Sequence, residues 1–195
     1  HDMADALRGV VHDNGELVGV YHKIHLPNYG VFDEERYFQS GKQCPVYVIN
    51  GTSVGINICE DIWHTSGPTI MQKAAGAEVI VNINGSPFHI GKQKTREEML
   101  AKRALENRIF ISYTNLVGGQ DELVFDGGSV IFDPSGNIVS RGKQFTEELI
   151  VADLDIASAL GPQSPENHSG PNPAEPPKEL CSSTVKKVSE FCSTS

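Results

Sequence analysis

Short apolar runs recur along the first 160 residues, and turn-forming residues separate them. The runs at 6–12 and 17–22 flank Asp13-Asn14-Gly15, and they predict a β-hairpin because Asn-Gly accepts the positive φ of a tight turn. The run at 78–84 is nearly all apolar, which is typical of a strand buried on both faces. Further strands are predicted at 46–49, 53–58, 109–114, 128–132 and 148–153.

Helical signals fall between these strands. Ser66-Gly67-Pro68 predicts the start of one helix, since proline is favoured in the first turn, and Gly76 predicts its end. Thr95 and Glu98 form a capping-box pattern at the start of a second helix, which is predicted to run to about Arg108. Strands that alternate with helices indicate a mixed α/β fold.

Two segments lack such periodicity. Residues 23–43 predict a long loop, and the aromatic residues within it favour an ordered one. Residues 161–195 contain six of the eleven prolines, and this composition predicts a disordered tail. The expected organisation is therefore one ordered domain at 4–160, followed by the Pro-rich tail at 161–195.

Composition narrows the function classes. The formal net charge is −9 and no Lys/Arg cluster stands out, so no nucleic-acid partner is expected. No apolar stretch approaches the roughly 20 residues of a membrane span, so no membrane association is expected. The four cysteines form no C-x-x-C pair, so no metal site is expected, and no cofactor is expected either. Scattered thiols without a signal peptide indicate a cytoplasmic protein.

The candidate chemistry centres on Cys59, which closes the predicted strand 53–58 and is followed by two acidic residues. A strand that ends in a nucleophile is typical of a nucleophile elbow. Its bend exposes the sulfur and aims the next N–H, that of Glu60, at a developing oxyanion. The alternative is an inert cysteine in the core. Lys23 ends an earlier strand, where it is either a solvated lysine or a cation that favours the Cys59 thiolate.

Other candidates have equally plain alternatives. Ser86 follows the most apolar strand, and such strand ends are favoured ligand sites. Lys92 suits a substrate carboxylate, but it is also consistent with an ordinary lysine near a helix start. Four aromatic residues either line a pocket or pack the loops: Tyr29, Phe32, Trp63 and Phe88. Four histidines are not expected to be the general base, because nothing fixes their orientation: His22, His25, His64 and His89.

Five motifs resemble the nitrilase (carbon–nitrogen hydrolase) superfamily and, more narrowly, the glutaminase domains of glutamine-dependent NAD⁺ synthetases. The resemblance covers about residues 6–155, and the motifs stand in the family's order. They are Lys23-x-x-Leu26-Pro27-Asn28-Tyr29-Gly30-Val31-Phe32-Asp33-Glu34, Asn57-Ile58-Cys59-Glu60-Asp61-Ile62-Trp63, Asn84-Gly85-Ser86-Pro87-Phe88, Arg103-Ala104-x-Glu106-Asn107 and Gly118-Gly119-Gln120-Asp121-Glu122-Leu123-Val124-Phe125-Asp126-Gly127.

The resemblance implies a nitrilase-like α-β-β-α sandwich and a Cys-Glu-Lys catalytic set that hydrolyses the side-chain amide of L-glutamine. It implies Cys59 as the nucleophile and Lys23 as the oxyanion-stabilising lysine. The positions that bind glutamine in the family are occupied here by Tyr29, Ser86 and Lys92. Glu34 falls where the superfamily often has a second glutamate. The implied partners are a synthetase domain that accepts the ammonia and, in a homo-oligomer, further copies of the chain.

Two departures from the family pattern affect this interpretation. The family's general-base glutamate lies upstream of Lys23, and nothing among residues 1–22 fits its motif. The sandwich is therefore expected to be N-terminally truncated, and the chain alone weak or inactive. The Ser-Gly-Gly-x-Asp-Ser loop of the synthetase domain does not occur either. The alternatives are a stand-alone nitrilase-type amidase acting on another small amide and a non-catalytic scaffold subunit.

Overall fold

The computed structural model describes residues 6–13, 15–157 and 182–187. Its strands are β1 (Arg8–Asp13), β2 (Glu16–His22), β3 (Gln43–Ile49), β4 (Thr52–Ile58), β5 (Val79–Asn84), β6 (Phe110–Asn115), β7 (Val117–Gln120), β8 (Leu123–Asp126), β9 (Val130–Phe132), β10 (Ile138–Arg141) and β11 (Ser182–Lys187). Its α-helices are α1 (Pro68–Ala74) and α2 (Lys92–Asn107), and short 3₁₀ turns cover Glu34–Arg36 and Cys59–Ile62.

Seven strands form one mixed sheet in the order β10-β9-β6-β5-β4-β3-β11. The central strands β4, β5 and β6 run parallel, so their carboxyl ends meet at one edge. The strands β3 and β9 flank this centre antiparallel to their neighbours. Two hairpins, β1–β2 and β7–β8, lie outside the sheet.

The helices cover one face of the sheet and the β1–β2 hairpin covers the other. Leu100 and Ala104 of α2 belong to the main core together with Ile80 and Ile111 of the sheet. Because side chains alternate along a strand, the residues next to Ile80 and Ile111 point to the opposite face of the sheet, where the hairpin lies. There a Cβ on Gly9 would lie 3.5 Å from the Ile56 side chain. These layers are those of a nitrilase-like fold.

Several sequence-based boundaries are confirmed and some are wrong. The first hairpin, the helix at Pro68 and the strand ending at Asn84 are confirmed. The second helix begins at Lys92 after Gly91, whose φ is 82°, so the expected capping box at Thr95 is wrong. The expected strand at 148–153 is also wrong, since this segment has no strand partner and its apolar side chains at 149 and 151 are exposed.

The C-terminal region and one cysteine also depart from expectation. Residues Ser182–Lys187, expected within a disordered tail, form β11 and pair parallel with β3 from Gln43 onward. Without β11, the outer N–H and C=O groups of β3 would lie unpaired at the edge of the sheet, and this accounts for the pairing. The rest of the proposed tail, 158–181 and 188–195, lies outside the described residues. Cys44 of β3 is disulfide-bonded rather than a thiol, contrary to the expectation of scattered thiols.

Candidate active site

Cys59 lies directly after β4, at the first position of the 3₁₀ turn Cys59–Ile62 (the elbow turn). Its φ is 45°, a left-handed conformation that is uncommon for a residue with a side chain. The backbone N–H of Glu60, the second residue of the turn, is among the donors that the turn leaves unpaired. The expected strand-to-turn bend at the cysteine is therefore present, and Cys59 is partly exposed rather than enclosed in the core.

Lys23 follows β2 and is only 2% exposed, so it is not a solvated surface lysine. Its Nζ donates to both carboxylate oxygens of Glu34, at 2.8 and 2.6 Å. Its backbone is fixed as well, because its N–H donates to the Leu7 carbonyl and its carbonyl accepts from Gly41. An ammonium buried in this way needs a partner, and Glu34 supplies it.

The net effect of the surroundings is to raise the pKa of the Cys59 thiol above its ordinary value. Burial raises the pKa of the Cys59 thiol, while the ammonium groups of Lys23 and Lys92 lower it. The carboxylates of Glu60 and Glu34 raise that pKa further. Both lysines therefore lie within electrostatic reach of the sulfur.

Asp61, the third residue of the elbow turn, is fully buried and accepts four hydrogen bonds. Its Oδ1 accepts from the backbone N–H groups of Ile24 and His25, at 3.2 and 2.8 Å. Its Oδ2 accepts from the Tyr21 hydroxyl at 2.7 Å and the Ile58 N–H at 3.1 Å. Burial raises the pKa of Asp61, and these hydrogen bonds and the nearby ammonium of Lys23 oppose that rise.

Arg103 of α2 holds the other end of the elbow turn. It is 5% exposed, and its Nε and Nη2 donate to the carbonyls of Ile62 and Trp63 at 3.1 and 2.8 Å. Carbonyls at the end of a helical turn have no partner within the turn, so the guanidinium caps them. Its Nη1 pairs with Glu106 at 3.1 Å. The sequence placed Arg103 in a family motif but gave no signal of this contact.

The four candidate substrate-binding residues differ in their surroundings. Tyr29 is exposed, and its hydroxyl donates to Glu60 Oε2 at 2.9 Å. Ser86 is 3% exposed, just past the end of β5. Lys92 is the first residue of α2, where burial lowers the pKa of its ammonium. The Trp63 ring packs against the main core, so part of it serves the fold.

A buried polar network that sequence reasoning missed lies behind Ser86. The guanidinium of Arg96 pairs with the Asp126 carboxylate at 3.1 Å, and both side chains are completely buried. Asn115 accepts from the Ser86 N–H at 2.9 Å and donates to the Gly127 carbonyl at 3.0 Å. The network therefore joins α2, the end of β6 and the segment after β8 around the Ser86 backbone.

A cavity of about 570 Å³ opens beside the elbow turn. Its lining includes Tyr29, Glu35, Glu60 and two histidines, His25 and His64. The histidine rings are stacked with centroids 3.7 Å apart. Burial, then His64 and Lys23, lower the pKa of His25 to about 4, so this imidazole is neutral at physiological pH. Stacking against His64 holds the His25 ring in place, a contact that the sequence did not reveal.

Within the described residues, no cluster of three or more His, Cys, Asp or Glu side chains is arranged to hold a metal ion. In the same part of the chain, no helix has the length and apolar character needed to cross a bilayer.

The profile of the family described as carbon-nitrogen hydrolase matches residues 9–159. The chain belongs to the carbon–nitrogen hydrolase family. The match includes Lys23, Glu34 and the elbow turn, and it ends close to residue 157, where the described segment 15–157 ends.

Relatives narrow this family placement. The chain is 47% identical over 158 residues to the glutamine-dependent NAD(+) synthetase of Aquifex aeolicus. That match covers 81% of the chain but only 28% of the relative, so the chain spans little more than a quarter of the relative's length.

Solved structures of this family superpose on the chain. The glutamine-dependent NAD⁺ synthetase from Acinetobacter baumannii, in complex with ADP, matches with a TM-score of 0.71 and 38% identity, over 73% of this chain and 27% of that one. A mutant amidase from Nesterenkonia sp. AN1 matches with a TM-score of 0.65 and 29% identity, over 79% and 56%. In that amidase, the acetamide moiety of fluoroacetamide is covalently added at the active-site cysteine.

Proposed function

We propose that this chain contains the glutamine-hydrolysing site of a glutamine-dependent NAD⁺ synthetase, with Cys59 as the nucleophile. The observation that carries the proposal is the buried ammonium of Lys23 within electrostatic reach of a cysteine at a left-handed elbow. A nucleophile beside a fixed cation suits acyl transfer from an amide, because negative charge develops on the carbonyl oxygen. The likeness to NAD⁺ synthetases supports glutamine as the amide.

The reaction would have two halves, formation of a thioester at Cys59 and its hydrolysis. The Cys59 sulfur bonds to the side-chain amide carbon of L-glutamine, and the Lys23 ammonium and the Glu60 N–H stabilise the oxyanion. The C–N bond then breaks, and the thiol proton leaves with the amine as ammonia. Water hydrolyses the thioester and releases L-glutamate with the thiol restored.

The general base is the weak point of this site. Two carboxylates lie within electrostatic reach of Cys59, and both are already engaged. Glu34 accepts from Lys23, and Glu60 accepts from Tyr29. A positioned general base contributes about 10²–10⁴ in rate. We therefore expect slow turnover from this chain alone and a measurable reaction of Cys59 with electrophiles.

Substrate recognition is assigned to the residues around the elbow. Lys92 would bind the α-carboxylate as a single ammonium rather than as a bidentate guanidinium. Tyr29, with its hydroxyl held by Glu60, and Ser86 would contact the rest of the glutamine. Trp63 would provide an apolar wall. In the whole protein, a synthetase domain would take up the ammonia, and we expect a cytoplasmic homo-oligomer with a glutaminase domain at 4–160.

The test is covalent labelling with a diazo-ketone analogue of L-glutamine, followed by mass spectrometry of the Cys59 peptide. We expect alkylation at Cys59 that L-glutamine slows and L-asparagine does not. Lys92→Met should weaken the protection by glutamine, because the carboxylate contact is lost, whereas Lys94→Met, a change of an exposed lysine on the same helix, should not.

Two outcomes would overturn the proposal. Protection by other small amides but not by glutamine would favour a stand-alone amidase. An unmodified Cys59 alongside labelling elsewhere in the chain would favour a non-catalytic scaffold.

A further inference from the structure

The carboxylate of Asp61 joins the two segments that carry the candidate catalytic groups. One carboxylate oxygen binds the N–H groups of the two residues after Lys23, and the other binds the N–H of the residue before Cys59. The hydroxyl of the residue two positions before Lys23 donates to that second oxygen as well. A single buried side chain therefore contacts the backbone on one side of each group.

We propose that Asp61 is a positioning residue that fixes the Lys23 ammonium relative to the Cys59 sulfur. This inference rests on the proposed function, because it concerns the same two groups. The segment 23–42 between β2 and β3 contains no strand, and the 3₁₀ turn Glu34–Arg36 is its one regular element. The Asp61 carboxylate replaces a strand partner for the amides of Ile24 and His25, the two residues that follow Lys23.

Asparagine is similar in size to aspartate, but it cannot accept all four of these hydrogen bonds. All four partners of Asp61 use a hydrogen of their own: three backbone N–H groups and one hydroxyl. In Asp61→Asn, one of the two acceptor oxygens becomes an NH₂ group, which opposes at least one backbone N–H in either orientation. One of the two segments must then move away from the other.

The direction in which the pKa of the Cys59 thiol changes in Asp61→Asn separates a positioning role from the simple loss of a charge. Removing a negative charge by itself can only lower the pKa of a nearby thiol. Displacing Lys23 removes an ammonium that holds the pKa of Cys59 down, so that pKa rises. The other charges that face the sulfur are Glu60, Glu34 and Lys92, and the substitution leaves them in place.

The experiment measures the pH dependence of Cys59 alkylation by iodoacetamide in the full chain, resolved by mass spectrometry. Lys23→Met and Asp61→Asn should both shift the profile to higher pH. Near neutral pH, alkylation should slow about three- to tenfold, the loss of thiolate for a rise of half to one pKa unit. Tyr21→Phe removes one donor and keeps the three backbone contacts, so its profile should match the wild type.

A destabilised control separates this effect from general loosening. Phe132→Leu reduces the core on β9, which is separated in the sheet from β4 by β6 and β5, and should leave the profile unchanged. If Lys23→Met gives no shift, the proposed function is overturned. If Lys23→Met shifts the profile and Asp61→Asn does not, only the role of Asp61 is overturned.

A second measurement needs no variant and remains valid if Asp61→Asn does not fold. In the wild type, the amide hydrogens of Ile24, His25 and Ile58 share one acceptor group, so they should exchange with solvent at similar protection. Free exchange at Ile24 and His25 beside a protected Ile58 would contradict the proposed link.

Discussion

The ammonium of Lys23 lies 2.6 and 2.8 Å from the two carboxylate oxygens of Glu34, and the pair is almost closed to solvent. This pairing gives Glu34→Gln two expected effects of opposite kind. Stability should fall by roughly 1–3 kcal/mol, because the buried ammonium loses its counter-charge and keeps only a neutral acceptor. The Cys59 thiol should become more reactive, because Glu34 raises its pKa.

Urea unfolding and iodoacetamide alkylation of Cys59 near neutral pH measure the two effects of Glu34→Gln. The matched control is Glu35→Gln, a change of the exposed neighbour on the same 3₁₀ turn, which should alter neither quantity. Slower alkylation in Glu34→Gln would mean that Glu34 helps the thiolate form, as a base would.

The completely buried Arg96–Asp126 pair predicts a strong dependence of stability on both partners. Arg96→Met or Asp126→Asn alone should cost about 3–5 kcal/mol, because each leaves a buried charge without its partner. The double substitution should cost less than the sum of the two single substitutions, since no charge is then left unpaired. Denaturant unfolding measures all three.

A surface pair on the same helix provides the control for this comparison. Lys94 and Glu98 are paired at 3.8 Å but largely exposed. Glu98→Gln should therefore change the unfolding free energy by no more than about 1 kcal/mol. Equal costs for Glu98→Gln and Asp126→Asn would contradict the importance of the buried pair.

Arg103 predicts an effect on the geometry of the elbow rather than on its charge. Arg103→Lys keeps the positive charge but replaces a guanidinium that binds two carbonyls at once. We expect slower labelling of Cys59 by the diazo-ketone analogue, and a loss of roughly 1–2 kcal/mol in stability. Lys102→Ala, on the exposed side of the same helix, should leave both unchanged. Unaltered labelling in Arg103→Lys would mean that the elbow holds its shape without the cap.

The sequence predicts local features of this fold well, because their signals are local. Asn-Gly in the first turn, Pro68 at a helix start and the apolar run of β5 each act through their own residues. The same holds for Cys59, whose place between a strand and two acidic residues indicated an elbow. By contrast, β11 depends on the open sheet edge at β3, which no local pattern encodes.

The roles of Asp61 and Arg103 were not predicted, because each residue contacts groups that are distant in the sequence. Asp61 contacts residues 36 and 37 positions earlier, and Arg103 contacts carbonyls 40 and 41 positions earlier. In sequence both are charged residues that a solvated surface would also explain. Only their burial identifies them as side chains that hydrogen-bond to backbone groups. That burial results from the packing of β2, the elbow turn and α2 against one another.

The lowered pKa of His25 predicts how the free energy of unfolding changes between pH 4 and 6.5. Its pKa is lowered to about 4, first by burial and then by the charges of His64 and Lys23, against an ordinary value of 6.5. The unfolded chain therefore binds a proton in this interval before the folded chain does. The stabilising contribution is present above pH 6.5 and is lost as the pH falls towards 4.

Urea unfolding at several pH values, compared between wild type and His25→Asn, isolates this contribution. Carboxylates titrate in both proteins, so the difference between the two curves should change between pH 6.5 and 4 and be flat above that interval. His64→Asn should reduce the slope without removing it, because burial, the larger cause, remains. A wild-type curve parallel to that of His25→Asn would mean that the imidazole binds its proton equally well in the folded and unfolded chain, and that the stacked ring is open to water.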